Sequence, residues 1–404
     1  MPGATPSGAV ARERVTAGAV AFALVTAGAG AQQAPEPGAL IFARSCLPCH
    51  ARESPVGLDF STPEVLRRRA PTAAAVVRSG LMPPWLPSTA GAPLSHARVL
   101  TQTDRATLIA WLDRGAPIPP LAARAIPLSS TTALPAAKPW APVDAGLSIR
   151  IADGWQVEAD PGMKLRSFAV ASPTESDLLV RTIEMRADEP GLVHAVSLLW
   201  DETGFGARLD RGDPLPGYDA VGDIGLQWSG SGGSVSRLMP RFGLPAGYAI
   251  RIPAQATLVA EVHAEGRGKV ESPGITVRLY PPYEPVRVLQ PLSFSGVRPV
   301  TVTEPITAVA INIRASSRVQ SIQVVAIDST GIARTLLDIP EWNERLAEPW
   351  IFEPPVVLAA GSELVVRSTL SIEAKQFPLD AHAAAMSIPT VVVLVARDDD
   401  PICE

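Results

Sequence analysis

Apolar positions change their spacing twice along the chain. Residues 15–31 are almost continuously small and apolar, densest at Ala19-Val20-Ala21-Phe22-Ala23-Leu24-Val25. Between residues 38 and 115 the spacing becomes that of short helices. Gly38-Ala39-Leu40-Ile41-Phe42 reads as one. Thr62-Pro63-Glu64 starts another, with a hydroxyl cap, a proline in the first turn and an acid near the positive helix end. Thr72 to Gly80 reads as a third helix. Thr103 to Gly115 reads as a fourth, with Leu108, Trp111 and Leu112 on one face. Beyond residue 149 the pattern is one of strand-like runs divided by Gly and Pro: Leu178–Met185, Val193–Trp200, Ala256–Ala264, Ser321–Ile327, Glu363–Leu370 and Thr390–Arg397. With no long helices alternating between them, these runs predict β-sandwiches. The Pro/Ala/Ser/Thr-rich stretch 119–148 has no periodicity and reads as a linker.

Composition sharpens this outline. The chain has 404 residues, enough for two or three cores, and its 41 prolines favour loop-rich β structure over a helical bundle. A formal charge of −5 argues against a nucleic-acid partner, which calls for a basic face. Arg12 and Arg14 before the first apolar run, and Ala29-Gly30-Ala31 after it, mark residues 1–31 as a signal peptide, with an uncleaved anchor as the alternative. An exported, periplasmic protein with no membrane span after cleavage is expected. The run Arg67-Arg68-Arg69 reads first as a solvated helix face, and second as a docking patch for an acidic redox partner.

The strongest chemical motif is Cys46-Leu47-Pro48-Cys49-His50. Two thiols one helical turn apart can form thioethers to both vinyl groups of a porphyrin, and the adjacent imidazole is then held beneath the iron. A zinc site would want a second cysteine pair, but the only other cysteine is Cys403. Met82, in Leu81-Met82-Pro83-Pro84-Trp85, lies on a proline-stiffened loop suited to carrying the second axial ligand, with His96 as its competitor. Cys403 is expected as a free thiol in the tail.

Residues 36–118, with C-x-x-C-H, Met-Pro-Pro-Trp and Trp-Leu-Asp-Arg-Gly-Ala-Pro, resemble a single-haem class I cytochrome c domain. The resemblance implies a small all-α fold with His50 and Met82 as axial ligands. Further on, Gly191-Leu192-Val193-His194-Ala195-Val196, Leu258-Val259-Ala260-Glu261-Val262-His263, Leu336-Leu337-Asp338-Ile339-Pro340-Glu341-Trp342-Asn343 and Leu358-Ala359-Ala360-Gly361-Ser362-Glu363-Leu364 resemble the copper type II, ascorbate-dependent monooxygenases. That likeness implies two antiparallel, jelly-roll-like sandwiches, here 149–285 and 286–404. It also implies copper ligands, of which His194, His263 and Met386 remain. The second imidazole of the first site is replaced by Ala195, and Ile311-Asn312-Ile313-Arg314 stands where a His-x-His is required.

The sequence therefore predicts a multidomain chain: a small all-α cytochrome c domain (32–118), then an all-β region of two antiparallel sandwiches. Its expected function is electron transfer through one covalent haem c to a redox partner protein, with the β region lacking catalytic copper. A copper monooxygenase fed by the haem, and a β region that binds a partner, are the rival expectations. On one strand Glu261, His263 and Glu265 share a face, and with His194 they offer a further N/O cation site.

Overall fold

A computed structural model describes residues 36–51, 58–117, 146–160, 162–171, 174–189, 191–219, 230–371, 388–397, 399–400 and 402–403. The expected signal peptide, most of the expected linker and Met386 lie outside these residues. No described helix is long and apolar enough to cross a membrane.

Four helices open the described chain: α1 (Pro37–Ser45), α2 (Leu47–His50), α3 (Pro63–Arg78) and α4 (Gln102–Asp113). The Thr62 hydroxyl caps α3 by accepting from the Val65 amide at 3.4 Å, and Thr101 caps α4 through the Asp104 amide at 3.0 Å. The two helices expected around residues 62 and 72–80 are one, running through Pro71. Buried Leu66, Ala70, Ala73, Ala74 and Val77 line its inner face, and that packing outweighs the hydrogen bond the proline removes. Helices α1 and α4 cross closely at Gly38, where a Cβ would stand 2.2 Å from that of Trp111.

The strands are β1 (Leu147–Ile151), β2 (Met163–Ala171), β3 (Leu178–Val180), β4 (Thr182–Ala187), β5 (Val193–Asp201), β6 (Gly230–Ser236), β7 (Arg241–Gly243), β8 (Tyr248–Ile252), β9 (Thr257–Glu265) and β10 (Ile275–Tyr280). They continue with β11 (Val286–Ser295), β12 (Val300–Thr301), β13 (Ile306–Arg314), β14 (Val319–Ile327), β15 (Ala333–Ile339), β16 (Trp350–Leu358), β17 (Glu363–Leu370), β18 (Thr390–Arg397) and β19 (Ile402–Cys403). A short helix, α5 (Phe205–Gly212), follows β5. They form four sheets: β1-β10-β4-β7, β2-β9-β5-β6, β12-β17-β14-β15, and a seven-stranded sheet β16-β13-β18-β11-β8-β3 with β19 beside β11. Cys403, expected in a free tail, is a free thiol on β19 and pairs in register with Val286.

The seven-stranded sheet is buried on both faces. Val391, Val393 and Val395 of β18 enter one core with Ile311, Ile322, Leu336, Trp350 and Leu364, while Leu394 and Ala396 enter the other with Ile183, Val196, Phe242 and Val277. This double burial explains why β18 reads as an unbroken apolar run.

These observations correct the expected fold. Strands hold 43% of the described residues and helices 17%, and no self-contained all-α domain is evident among them. Between α3 and α4 the chain leaves the helices and lies on the β region: Trp85, Leu86, Ala92 and Leu94 join a β core. Its backbone is paired there too. Ser88 N donates to Asp338 O at 2.7 Å, Ala92 N to Leu336 O at 3.0 Å, Ser95 N to Ile351 O at 2.8 Å, and Leu94 bridges Phe352. Nor are there two separate antiparallel sandwiches. One sheet serves both cores, and within it β11 and β8 run parallel.

Candidate functional site

The Cys46–His50 segment is a single helical turn wedged after α1. Cys46 O accepts from the Cys49 amide at 3.1 Å and from the His50 amide at 3.0 Å, which puts the two side chains and the imidazole on consecutive steps of one turn. Neither cysteine is in a disulfide, and both are half-buried. Burial, then the neighbouring Cys49, pushes the Cys46 thiol up to about 12. Burial also raises Cys49, with Arg98 pulling it down and Glu348 adding to the rise. Thiols shifted upward are poor thiolate donors, the opposite of what a disulfide-exchanging pair needs.

His50 is fixed by the chain that follows it. Its Nδ1–H donates to Leu58 O at 3.0 Å, while its own carbonyl accepts from the Phe60 amide at 2.7 Å. Burial lowers its pKa, against the opposing pull of the Leu58 bond, so the ring is neutral at neutral pH. With the proton placed on Nδ1, Nε2 keeps its lone pair: the tautomer of a metal-ligating histidine oriented by a carbonyl. Phe60 packs on the ring at 5.1 Å between centroids, and Phe42 joins Phe60 to Trp111 at 5.6 Å on each side. Two thiols on one turn, neither in a disulfide, and an imidazole whose Nδ1–H is committed to a carbonyl fit a covalently attached haem.

Met82 is half-buried against this helical core, with its amide donating to Val76 O at 3.1 Å. Its competitor His96 is exposed, with a left-handed backbone at φ 59°, and its position beside Ser95 ties it to the β region. The loop after Met82 is held by Arg98. That side chain donates from Nε to Pro84 O at 3.1 Å, lies 4.9 Å over the Trp85 ring, and pairs with Glu348 of the β region. Neither Arg98 nor Glu348 stands out in the sequence, because neither belongs to a motif.

The other expected site is a seam between the two β cores. A bulge between Val193 and Ala195 turns His194 toward Glu265, where Nε2–H donates to Oε2 at 2.9 Å. On β9, His263 Nε2–H donates to Glu261 Oε1 at 2.9 Å. Each carboxylate also meets an arginine from the second half of the chain: Arg345 reaches Glu265 at 2.6 Å, and Arg314 pairs with Glu261. Burial pushes the Glu261 carboxyl up, but Arg314 and His263 overcome it and hold it down at about 2. Burial, then Arg237, lowers His194 to about 4.

The structure thus brings His194 and His263 onto neighbouring strands, but each Nε2 is already engaged by its own carboxylate. Among the described residues no group of three or more His, Cys, Asp or Glu side chains is arranged to hold a metal ion. The segment Ile311–Arg314 has a structural task. Asn312 Nδ2–H donates to Ser234 Oγ at 2.8 Å, and Ser234 in turn meets Ser197 Oγ at 2.9 Å. Two residues further along, Arg314 crosses to Glu261. The sequence signal for this was the pair of polar residues at alternate positions of an otherwise apolar strand.

No protein-family model matches the chain, and no curated protein matches it in sequence. A solved structure described as "Crystal Structure of the STIV MCP" is matched over 57% of this chain and 96% of that one, with 8% identity and a TM-score of 0.23. A likeness of that size carries no inference about this protein.

Proposed function

We propose that this chain is an exported electron-transfer protein carrying one covalent haem c on Cys46 and Cys49. His50 would supply one axial ligand through Nε2, and Met82 the other through its thioether. When bound, such a haem supplies a one-electron Fe(III)/Fe(II) couple, and methionine–histidine ligation raises its potential. The observation that carries the reading is the His50 ring: its Nδ1–H is committed to Leu58 O, on the same turn as two thiols that are in no disulfide. The chain's part is to hold the imidazole in one tautomer, stack Phe60 against it, and exclude water with Phe42 and Trp111.

The β region would act as a scaffold and docking surface for a redox partner. A copper monooxygenase would draw on His194, His263 and Met386; among the described residues the two imidazoles are tied to Glu265 and Glu261, which are themselves paired with Arg345 and Arg314. The test is maturation of the full chain with cytochrome c assembly machinery, followed by intact mass and an alkaline pyridine spectrum. One haem per chain is expected. A polypeptide of unmodified mass would overturn the proposal.

A further inference from the structure

A pair of opposite charges joins the loop after Met82 to the β region. Glu348 lies two residues after the one-turn 3₁₀ helix Glu344–Leu346 and two before the start of β16. Its side chain is 1% exposed, one carboxylate oxygen is held by Arg98, and Oε2 is buried with no hydrogen-bond partner. A buried carboxylate with half its acceptor capacity unused is costly, and surface trimming does not relieve it. Arg98 holds three things at once: Glu348, the Pro84 carbonyl two residues past Met82, and the face of Trp85.

We infer that Arg98 and Glu348 are positioning residues for the haem site: the guanidinium anchors the Met82 loop to the β region, and the pair sets the electrostatic field on the Met82 side of the haem. The inference rests on the haem reading above and adds to it a reason for the β region to be fused to the attachment turn. A negative charge held in a low-dielectric place stabilises the oxidised, more positive centre, and a positive charge stabilises the reduced one. Glu348→Gln keeps the shape and the bond to Arg98 while removing the anion, so it moves the couple toward the reduced form. Arg98→Gln removes the anchor as well as the cation, so it also loosens Met82.

The experiment is spectroelectrochemistry of the matured full chain and of E348Q, R98Q and R98K. For E348Q the expected result is about a tenfold shift of the oxidised/reduced equilibrium toward the reduced form, ~59 mV for a one-electron couple. The methionine–iron charge-transfer band should stay intact. R98Q should lose much of that band, and R98K should recover part of it. Haem attached in the unaltered chain, with potential and band unchanged in both E348Q and R98Q, overturns the role of this pair alone. No haem in the unaltered chain overturns the role together with the reading beneath it.

Discussion

The histidines of the two candidate sites are prepared in opposite ways. His50 gives its Nδ1 proton to a backbone carbonyl, so its lone pair lies on Nε2. His194 and His263 give their Nε2 protons to carboxylates, and those carboxylates are neutralised by Arg345 and Arg314. A carbonyl orients a ring without adding a charge, so the opposite nitrogen remains available as a ligand. A carboxylate orients a ring in the same way and leaves the lone pair on Nδ1, but here each carboxylate is shared with an arginine, so the imidazole is one member of a charged network. The two sites thus differ in which ring nitrogen is committed and in the charge gathered around its partner.

The comparison can be broken at four points. The largest effect belongs to the attachment turn. Cys46→Ala together with Cys49→Ala is expected to abolish covalent haem altogether, read as loss of the haem mass from the intact polypeptide. Retention of that mass would move the attachment point elsewhere.

Next comes the seam. Glu261→Ala leaves Arg314 with its ion-pair partner removed at a largely buried position. Breaking one side of such a pair costs about 3–5 kcal/mol. Urea unfolding followed by circular dichroism measures it, and a loss below about 1 kcal/mol would show that the network is not structural.

The third point is acid. His194 has a lower pKa folded, about 4, than its ordinary 6.5, so the unfolded chain binds more protons between those values and stability falls as pH drops through that window. The loss is on the order of 3 kcal/mol. Below it, the depressed Glu261 carboxyl adds a second loss as pH falls from 4.5 toward about 2. Stability measured against pH should show both limbs, and His194→Gln should flatten the upper one only. An unchanged upper limb in that variant would assign the transition to another group.

The smallest effect is at the rim. The Arg345 side chain is 48% exposed, and Arg345→Ala should cost less than about 1 kcal/mol by the same urea measurement. A loss as large as that at Glu261 would erase the distinction between core and rim of the seam.

Much of this was readable in advance where the causes are local. β17 and β18 have the expected bounds, and β5 and β9 match to within a residue, because burial periodicity fixes strands. The thiol spacing is likewise a property of one turn. What could not be read depends on residues far apart in the chain. Arg98 and Glu348 lie 250 positions apart, as do Ser88 and Asp338, which share a hydrogen bond of 2.5 Å. The excursion of residues 84–96 onto the β region has no pattern of its own. It is apolar and proline-rich, and would look the same on any surface. Arg314 has no visible task in the sequence, because its partner, Glu261, sits on a strand of the other half. The helical segment was expected to close on itself, but part of its apolar surface belongs to Trp350 and Phe352.

The strand Thr390–Arg397 has a bearing on how the molecule comes apart. Since alternate side chains of one ribbon supply both interiors, stripping either half away would leave its neighbour with a greasy, unpaired wall. Heating should therefore dissolve both halves in one step, and limited digestion should release no stable half-sized fragment.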